Sequence, residues 1–208
     1  YLGALVALLG CLTISIGQAT VLLIFWIYLL PPMVCRLVLG ICGEPANHAT
    51  IHSAAFRNWW LLTQLQMLFN RFPALEELLR LFPAVYSLWL GLWGSRVSPF
   101  VLWSPEVRVT DRYLLKIEAE AVIGWGAVLA PHLVALNAEG EAELILGKIE
   151  IGKGAIIGGK TVIGPGAHVH PGESLPATRK LGPFNTLLKG KRTSPQDRRQ
   201  ETGKTEKE

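Results

Sequence analysis

The sequence predicts an α+β membrane protein in which transmembrane and interfacial helices precede a short parallel β-helix of hexapeptide repeats. Three observations predict it. The first 30 residues contain no Asp, Glu, Lys or Arg; residues 56 to 103 are aromatic-rich but broken by polar residues; and from residue 117 an aliphatic side chain returns at every sixth position. A hydrophobic fraction of 50% is high for a soluble chain of 208 residues, and the excess sits in the first segment.

The opening, "YLGALVALLGCLTISIGQATVLLIFWIYLL", exceeds the roughly 20 apolar residues needed to cross a bilayer. It has neither the basic start nor the small-residue cleavage site of a signal peptide, and the missing initiator Met is expected of a trimmed chain. Gly3, Gly10 and Gly17 recur every seventh residue, a small-residue stripe along which another helix could approach. Pro31 and Pro32 are expected to end this helix, because proline lacks the donor that would continue it. Arg36 follows, which by the positive-inside tendency makes that end cytoplasmic. The transmembrane helix is therefore expected over residues 1–35.

Residues 36–104 read as interfacial or membrane-embedded helices. The apolar run from Leu81 to Gly94 is short for a span, and its Tyr86, Trp89 and Trp93 are aromatics of the kind found at headgroup depth. Cys11, Cys35 and Cys42 form no even framework, which disfavours disulfides and fits a cytosolic catalytic face.

The six-residue period runs through Ile117, Ile123 and Leu129, then Ile145, Ile151, Ile157, Ile163, Val169 and Leu175. Gly124, Gly152, Gly158 and Gly164 follow their leads directly, and small residues recur four after the lead. One bulky inward residue, one small residue and one turn glycine per six make a strand and a corner, and three such units close a coil. Coils then stack at about 4.8 Å, each burying the next one's apolar leads. Collagen is excluded because glycine does not fall at every third place. From Leu129 to Ile145 is 16 residues, out of phase, so an insertion of about four residues is expected there. It would project a loop bearing Asn137, Glu139, Glu141 and Glu143.

The units "IGWGAV", "IGKGAI", "IGGKTV" and "IGPGAH" resemble those of the left-handed β-helix acyltransferases. That family moves acyl groups from coenzyme A or an acyl carrier to an amine or hydroxyl. The resemblance covers residues 105–177, the expected acyltransferase domain. A β-helix behind membrane helices with a histidine before the loop is also similar to the terminal modules of some peptide-synthetase-like membrane proteins. The resemblance implies a left-handed coil, a homotrimer, and acyl-CoA or an acyl-phosphopantetheine carrier as co-substrate with no cofactor held permanently.

Acyl transfer needs a base for the acceptor's proton and donors for the oxyanion. His132, at the mouth of the insertion, stands where the resembled enzymes carry their general base. Asn137, Glu139 and Glu141 are candidate acceptor-binding residues, and a loop glutamate could also orient His132. Lys153, Gly158, Gly159 and Lys160 are candidates to meet the coenzyme arm and phosphates. His168 and His170 flank inward Val169 and form a secondary candidate pair. His48 and His52 lie one helical turn apart without a third ligand. The three-histidine zinc spacing of the β-helix carbonic anhydrases is absent, so no catalytic metal is expected.

From Thr178 onward nine Lys/Arg face four acids, so the tail over 178–208 carries the basic pI. It has no apolar period and is expected to be largely disordered and to lie near anionic headgroups on the cytoplasmic side. No aromatics interleave with its cations, which disfavours nucleic acid as a partner and leaves membrane lipids and the acyl donor. The function expected is a membrane-bound acyltransferase acting on a lipid-like or membrane-proximal acceptor; the alternative is a non-catalytic β-helix scaffold that positions membrane partners.

Overall fold

The computed structural model describes residues 16–195. Gly3, Gly10, Cys11 and the end of the tail lie outside the described residues. Among the described residues one helix, Gly17–Cys42, is long and apolar enough to cross a membrane. It comprises α1 (Ile16–Ile24), a π-helical turn (Phe25–Leu29) and α2 (Leu30–Cys42). Val21, Leu22, Leu23 and Trp26 point away from the rest of the protein.

Pro31 and Pro32 do not end this helix. The π turn, closed by Leu30 N–H to the Phe25 carbonyl, sets both prolines in the first turn of α2, where an intrahelical donor is not required. Pro32 still leaves the Tyr28 carbonyl without its usual partner four residues on. The indole N–H of Trp89 supplies the missing donor at 2.8 Å, and the Tyr28 hydroxyl donates to the Leu75 carbonyl at 3.0 Å. Trp89→Phe should therefore lower stability by about 1–3 kcal/mol, read as a shift in the melting midpoint in detergent.

Strand β1 (His48–Thr50) leads to α3 (Ala54–Arg71), α4 (Ala74–Arg80) and α5 (Val85–Trp93). Ser53 caps α3 by accepting from Phe56 N–H at 3.1 Å. Tyr86, Trp89 and Trp93 are buried in a shared aromatic cluster with Phe69 rather than turned outward to headgroups. Burying their large ring area inside the protein outweighs the interfacial preference read from sequence. Exposed apolar residues on these helices and their connections include Trp60, Phe72, Leu81, Phe82, Leu88 and Leu92.

The β-helix starts earlier than residue 105. Its first coil is β2 (Arg96–Val97), β3 (Leu102–Trp103) and β4 (Arg108–Val109). The second is β5 (Leu115–Ile117), β6 (Val122–Ile123) and β7 (Val128–Leu129). A hairpin, β8 (His132–Leu136) and β9 (Ala142–Leu146), then leaves the coil. The third coil is β10 (Ile149–Ile151), β11 (Ile156–Ile157) and β12 (Val162–Ile163). The fourth is β13 (His168–Val169), β14 (Ser174–Leu175) and β15 (Lys180–Leu181), and β16 (Thr186–Leu188) stacks on β13 before β17 (Lys191–Thr193) folds back antiparallel. Strands of successive coils pair in parallel along three faces, so Val109, Leu129, Ile163 and Leu181 form one inward column.

Two expectations are corrected by this register. Ile145 is not a coil lead, because it lies in the hairpin between buried Leu144 and Leu146. Ile117 to Ile151 is 34 residues against 18 from Ile151 to Val169, so the insertion is 16 residues long, not about four. The tail is also ordered at its start: Leu181 and Leu187 keep the six-residue period and are buried, so the coil runs past residue 177.

Glycine after a lead has a steric cause at Gly158, where a Cβ would stand 2.3 Å from the Ala177 backbone nitrogen in the next coil. Gly158→Ala must push two coils apart and should cost about 1–3 kcal/mol, measured as a lowered unfolding midpoint.

Candidate active site

Val97 to Ile117 spans 20 residues, two more than a regular coil, and the surplus carries Asp111 and Arg112 at the corner after β4. The hairpin leaves from the equivalent corner one coil later, after β7. Thr110 N–H bonds the Leu129 carbonyl at 3.2 Å, so the two irregular corners are stacked. Residues 21 apart in sequence, Asp111 and His132, are thereby brought into contact.

His132 Nδ1 is hydrogen-bonded to Asp111 Oδ2. Asp111 is 0% exposed, and its charge is met by the Trp59 indole N–H on Oδ1 at 3.1 Å and the Thr110 hydroxyl on Oδ2 at 2.9 Å. Trp59 also packs edge-on to the imidazole, with centroids 4.9 Å apart. A carboxylate on Nδ1 holds the ring in the tautomer whose Nε2 carries a lone pair, ready to take a proton. The His132 side chain is 25% exposed, enough for a substrate to reach it.

A cavity of about 280 Å³ lies beside His132, between α3 and the first coil, and is also lined by Thr63, Asn70, Arg108, Thr110 and Arg112. Behind it lies a buried polar network. Glu76 accepts from Arg112 Nε at 2.5 Å, Arg80 Nη2 at 2.9 Å and the Tyr86 hydroxyl at 2.9 Å. Arg112 Nη1 donates to Asn70 Oδ1 at 2.9 Å, and Arg112 N–H donates to Gln66 Oε1 at 2.7 Å. Burial, then the Glu76 charge, pushes the Tyr86 phenol above its usual range, so it stays a neutral donor.

The other expected site residues are elsewhere. Asn137 shapes the hairpin tip, its side-chain oxygen accepting from Glu139 N–H at 3.1 Å and Glu141 N–H at 2.8 Å. His132 is at the hairpin base, opposite Leu146, on the order of 13 Å back along the strand. The tip therefore does not line the His132 cavity, and Asp111, not a loop glutamate, orients the imidazole. Lys153 pairs with Glu120 at 3.2 Å and its N–H bonds Glu118, while Lys160 Nζ sits 4.6 Å from the Trp125 ring centre. Gly158 and Gly159 pack against neighbouring coils. His48 faces Glu143 at 3.2 Å across the β1 and β9 pairing, which is where the segment after the apolar helix joins the hairpin.

His168 and His170 stack at 4.2 Å on the face built by β5, β10 and β13, away from the corner that holds His132. They border a cavity of about 250 Å³ with Lys116, Glu118 and Glu150. Burial, then the neighbouring His170, lowers the His168 pKa from 6.5. A histidine whose folded pKa is depressed contributes stability above its unfolded pKa and loses it as pH falls through that value towards the lower one. His168→Asn should flatten the decline of melting temperature with acidification across that window.

No family model and no curated protein matches the chain. Among solved structures, a hexapeptide-repeat-containing acetyltransferase from Vibrio cholerae aligns over 59% of this chain and 86% of its own, at 15% identity and a TM-score of 0.39. A likeness that distant decides nothing here. The β-helix is established by its own strand register.

Sequence reading singles out His132 but not its partners Asp111 and Trp59, nor the first coil. The available signal was "RVSPFVLWSPEVRV", in which Val97, Trp103 and Val109 keep the six-residue spacing with Ser-Pro in place of glycine after the first two.

Proposed function

We propose that the protein is an acyltransferase in which His132 is the general base. The carrying observation is the His132–Asp111 pair at the mouth of a cavity. In the step, Nε2 takes the proton from an acceptor hydroxyl or amine as that atom bonds to the thioester carbonyl carbon. The tetrahedral intermediate collapses with cleavage of the C–S bond, and the imidazolium returns the proton to the departing thiolate. The products are acylated acceptor and free thiol, and no metal or redox partner enters the balance. A non-catalytic scaffold gives no reason for the fully buried Asp111, already met by Trp59 and Thr110, to turn an oxygen to a partly exposed imidazole as well.

Acyl-CoA or an acyl-carrier thioester is the donor in this reading. The helix Gly17–Cys42, long and apolar enough to cross a bilayer, supports a lipid-like or membrane-proximal acceptor. The test uses the chain purified in detergent with acetyl-CoA and longer acyl-CoAs, thiol release being followed with candidate acceptors. Acceptor-dependent release that disappears in a folded His132→Ala protein supports the reading; release that persists in that variant sinks it.

A further inference from the structure

We infer that the acceptor carries an anionic group, a phosphate or a carboxylate, bound by Arg108 with Asn70 and Thr63, while its nucleophile faces His132. The inference rests on the acyltransferase reading and names the substrate class of that site.

The polar part of the cavity wall is mostly donors, set among apolar Phe69, Val107 and Val109 and beside the Glu76 carboxylate. Both carboxylates at the site are already consumed: Asp111 by His132, Trp59 and Thr110, and Glu76 by Arg112, Arg80 and Tyr86. Arg108 has no ion-pair partner among the described residues, although it lines the cavity. Its strand neighbour across the sheet is Val128, so no carboxylate faces it there. A guanidinium with five N–H donors and no carboxylate matches an oxyanion in two-pronged geometry.

Two further groups point to the same ligand. Asn70 spends its oxygen on Arg112, which leaves its amide N–H groups as the part able to serve a substrate. Thr63 is buried, lines the cavity, and its hydroxyl has no hydrogen-bond partner within the protein. A buried hydroxyl of this kind costs stability unless a ligand meets it, and a turn about χ1 exchanges its methyl and hydroxyl positions.

Position adds a constraint. Arg108 and Thr110 are two residues apart, and Thr110 Oγ1 is 3.4 Å from His132 Nδ1. Two strand residues span on the order of 7 Å, so anion and nucleophile are separated by a short linker. A cavity of about 280 Å³ suits a headgroup-sized molecule rather than a whole lipid. The acidic hairpin residues Glu139 and Glu141, acceptor-binding candidates by sequence, are outside this cavity.

The experiment reads the anion beside His132 without any acyl donor. The full chain in detergent is treated with diethylpyrocarbonate, and carbethoxylation of the His132 peptide is followed by mass spectrometry with His168 and His170 as internal references. The probes are sn-glycerol 3-phosphate, inorganic phosphate and succinate, and the chain in phosphatidic-acid or phosphatidylcholine vesicles forms a second arm. An anionic probe should slow modification of His132 saturably, with the half-protecting concentration rising about tenfold or more in Arg108→Gln and less in Arg108→Lys. Protection by the free probes assigns a soluble acceptor, and protection confined to phosphatidic-acid vesicles assigns a lipid headgroup; both sustain the proposal. Equal protection in Arg108→Gln and wild type, or none from any anion, overturns it. Arg108-dependent protection in a protein that never releases thiol would leave the anion site standing and remove the acyltransferase reading alone.

Discussion

Asp111→Asn and His132→Ala are each expected to reduce acceptor-dependent thiol release on the order of 10²–10⁴-fold, and the double variant by scarcely more than either. The reason is the shared proton. Without the Asp111 carboxylate, nothing charged holds the proton on Nδ1 or balances the imidazolium that forms when Nε2 accepts from the acceptor. Asparagine keeps the size of Asp111 but has one oxygen where the Trp59 indole and the Thr110 hydroxyl donate to two; with that oxygen on Trp59, its amide NH2 faces Thr110 and His132 and favours the wrong tautomer. The measurement is a double-mutant cycle on the apparent second-order rate, with folding checked by thermal melting. Losses that simply multiplied would mean the two residues act independently, which the direct Nδ1 contact does not allow.

Glu76→Ala is expected to be the most destabilising single change in the described region. Arg112 is 1% exposed and Arg80 is also buried, and both direct nitrogens to Glu76. Truncation of the shared carboxylate leaves the Arg112 charge uncompensated, at a cost of about 3–5 kcal/mol. For a chain of this size that lowers the melting midpoint on the order of 10 °C. Arg80 retains Glu77, with nitrogen and oxygen 2.5 Å apart, so a Glu76→Leu, Arg112→Met protein should recover much of the loss by packing in place of charge. A loss in Glu76→Ala below about 1 kcal/mol would mean the pair contributes no more than an exposed one.

How far this architecture was legible in the sequence depends on how local each signal is. The coils from Ile117 onward could be read because β-branched leads and glycine corners recur within six residues, and the steric need at Gly158 is set by the adjacent coil. The first coil was hidden because Val97 and Trp103 are followed by Ser-Pro, which turns the corner without the glycine mark. The hairpin length was misread since Ile145 imitates a lead while it is flanked by the buried Leu144 and Leu146 of a strand. Asp111 is a different case: its contact with His132 depends on two separate insertions falling at stacked corners, and no spacing along the chain announces that. The fate of Tyr86, Trp89 and Trp93 was decided by packing between helices, which amphipathic character alone does not fix.

The last strand, β17, limits how copies of this protein can meet. A parallel coil that ended at β16 would offer its backbone donors and acceptors to any incoming chain, and stacked coils could in principle grow end to end into a fibre. The turn at Lys189 and Gly190, its N–H groups received by Glu173 at 2.6 and 2.9 Å, sends β17 back across that rim. On this face the new edge is three residues long and carries Lys191 and Arg192, two like charges that repel a second copy placed against it. At the opposite end α5 runs directly into β2 and the helical layer lies against the first coil. End-to-end growth is thereby disfavoured on the face that β17 closes, while β14 and β15 stay the outermost strands of the other two faces among the described residues.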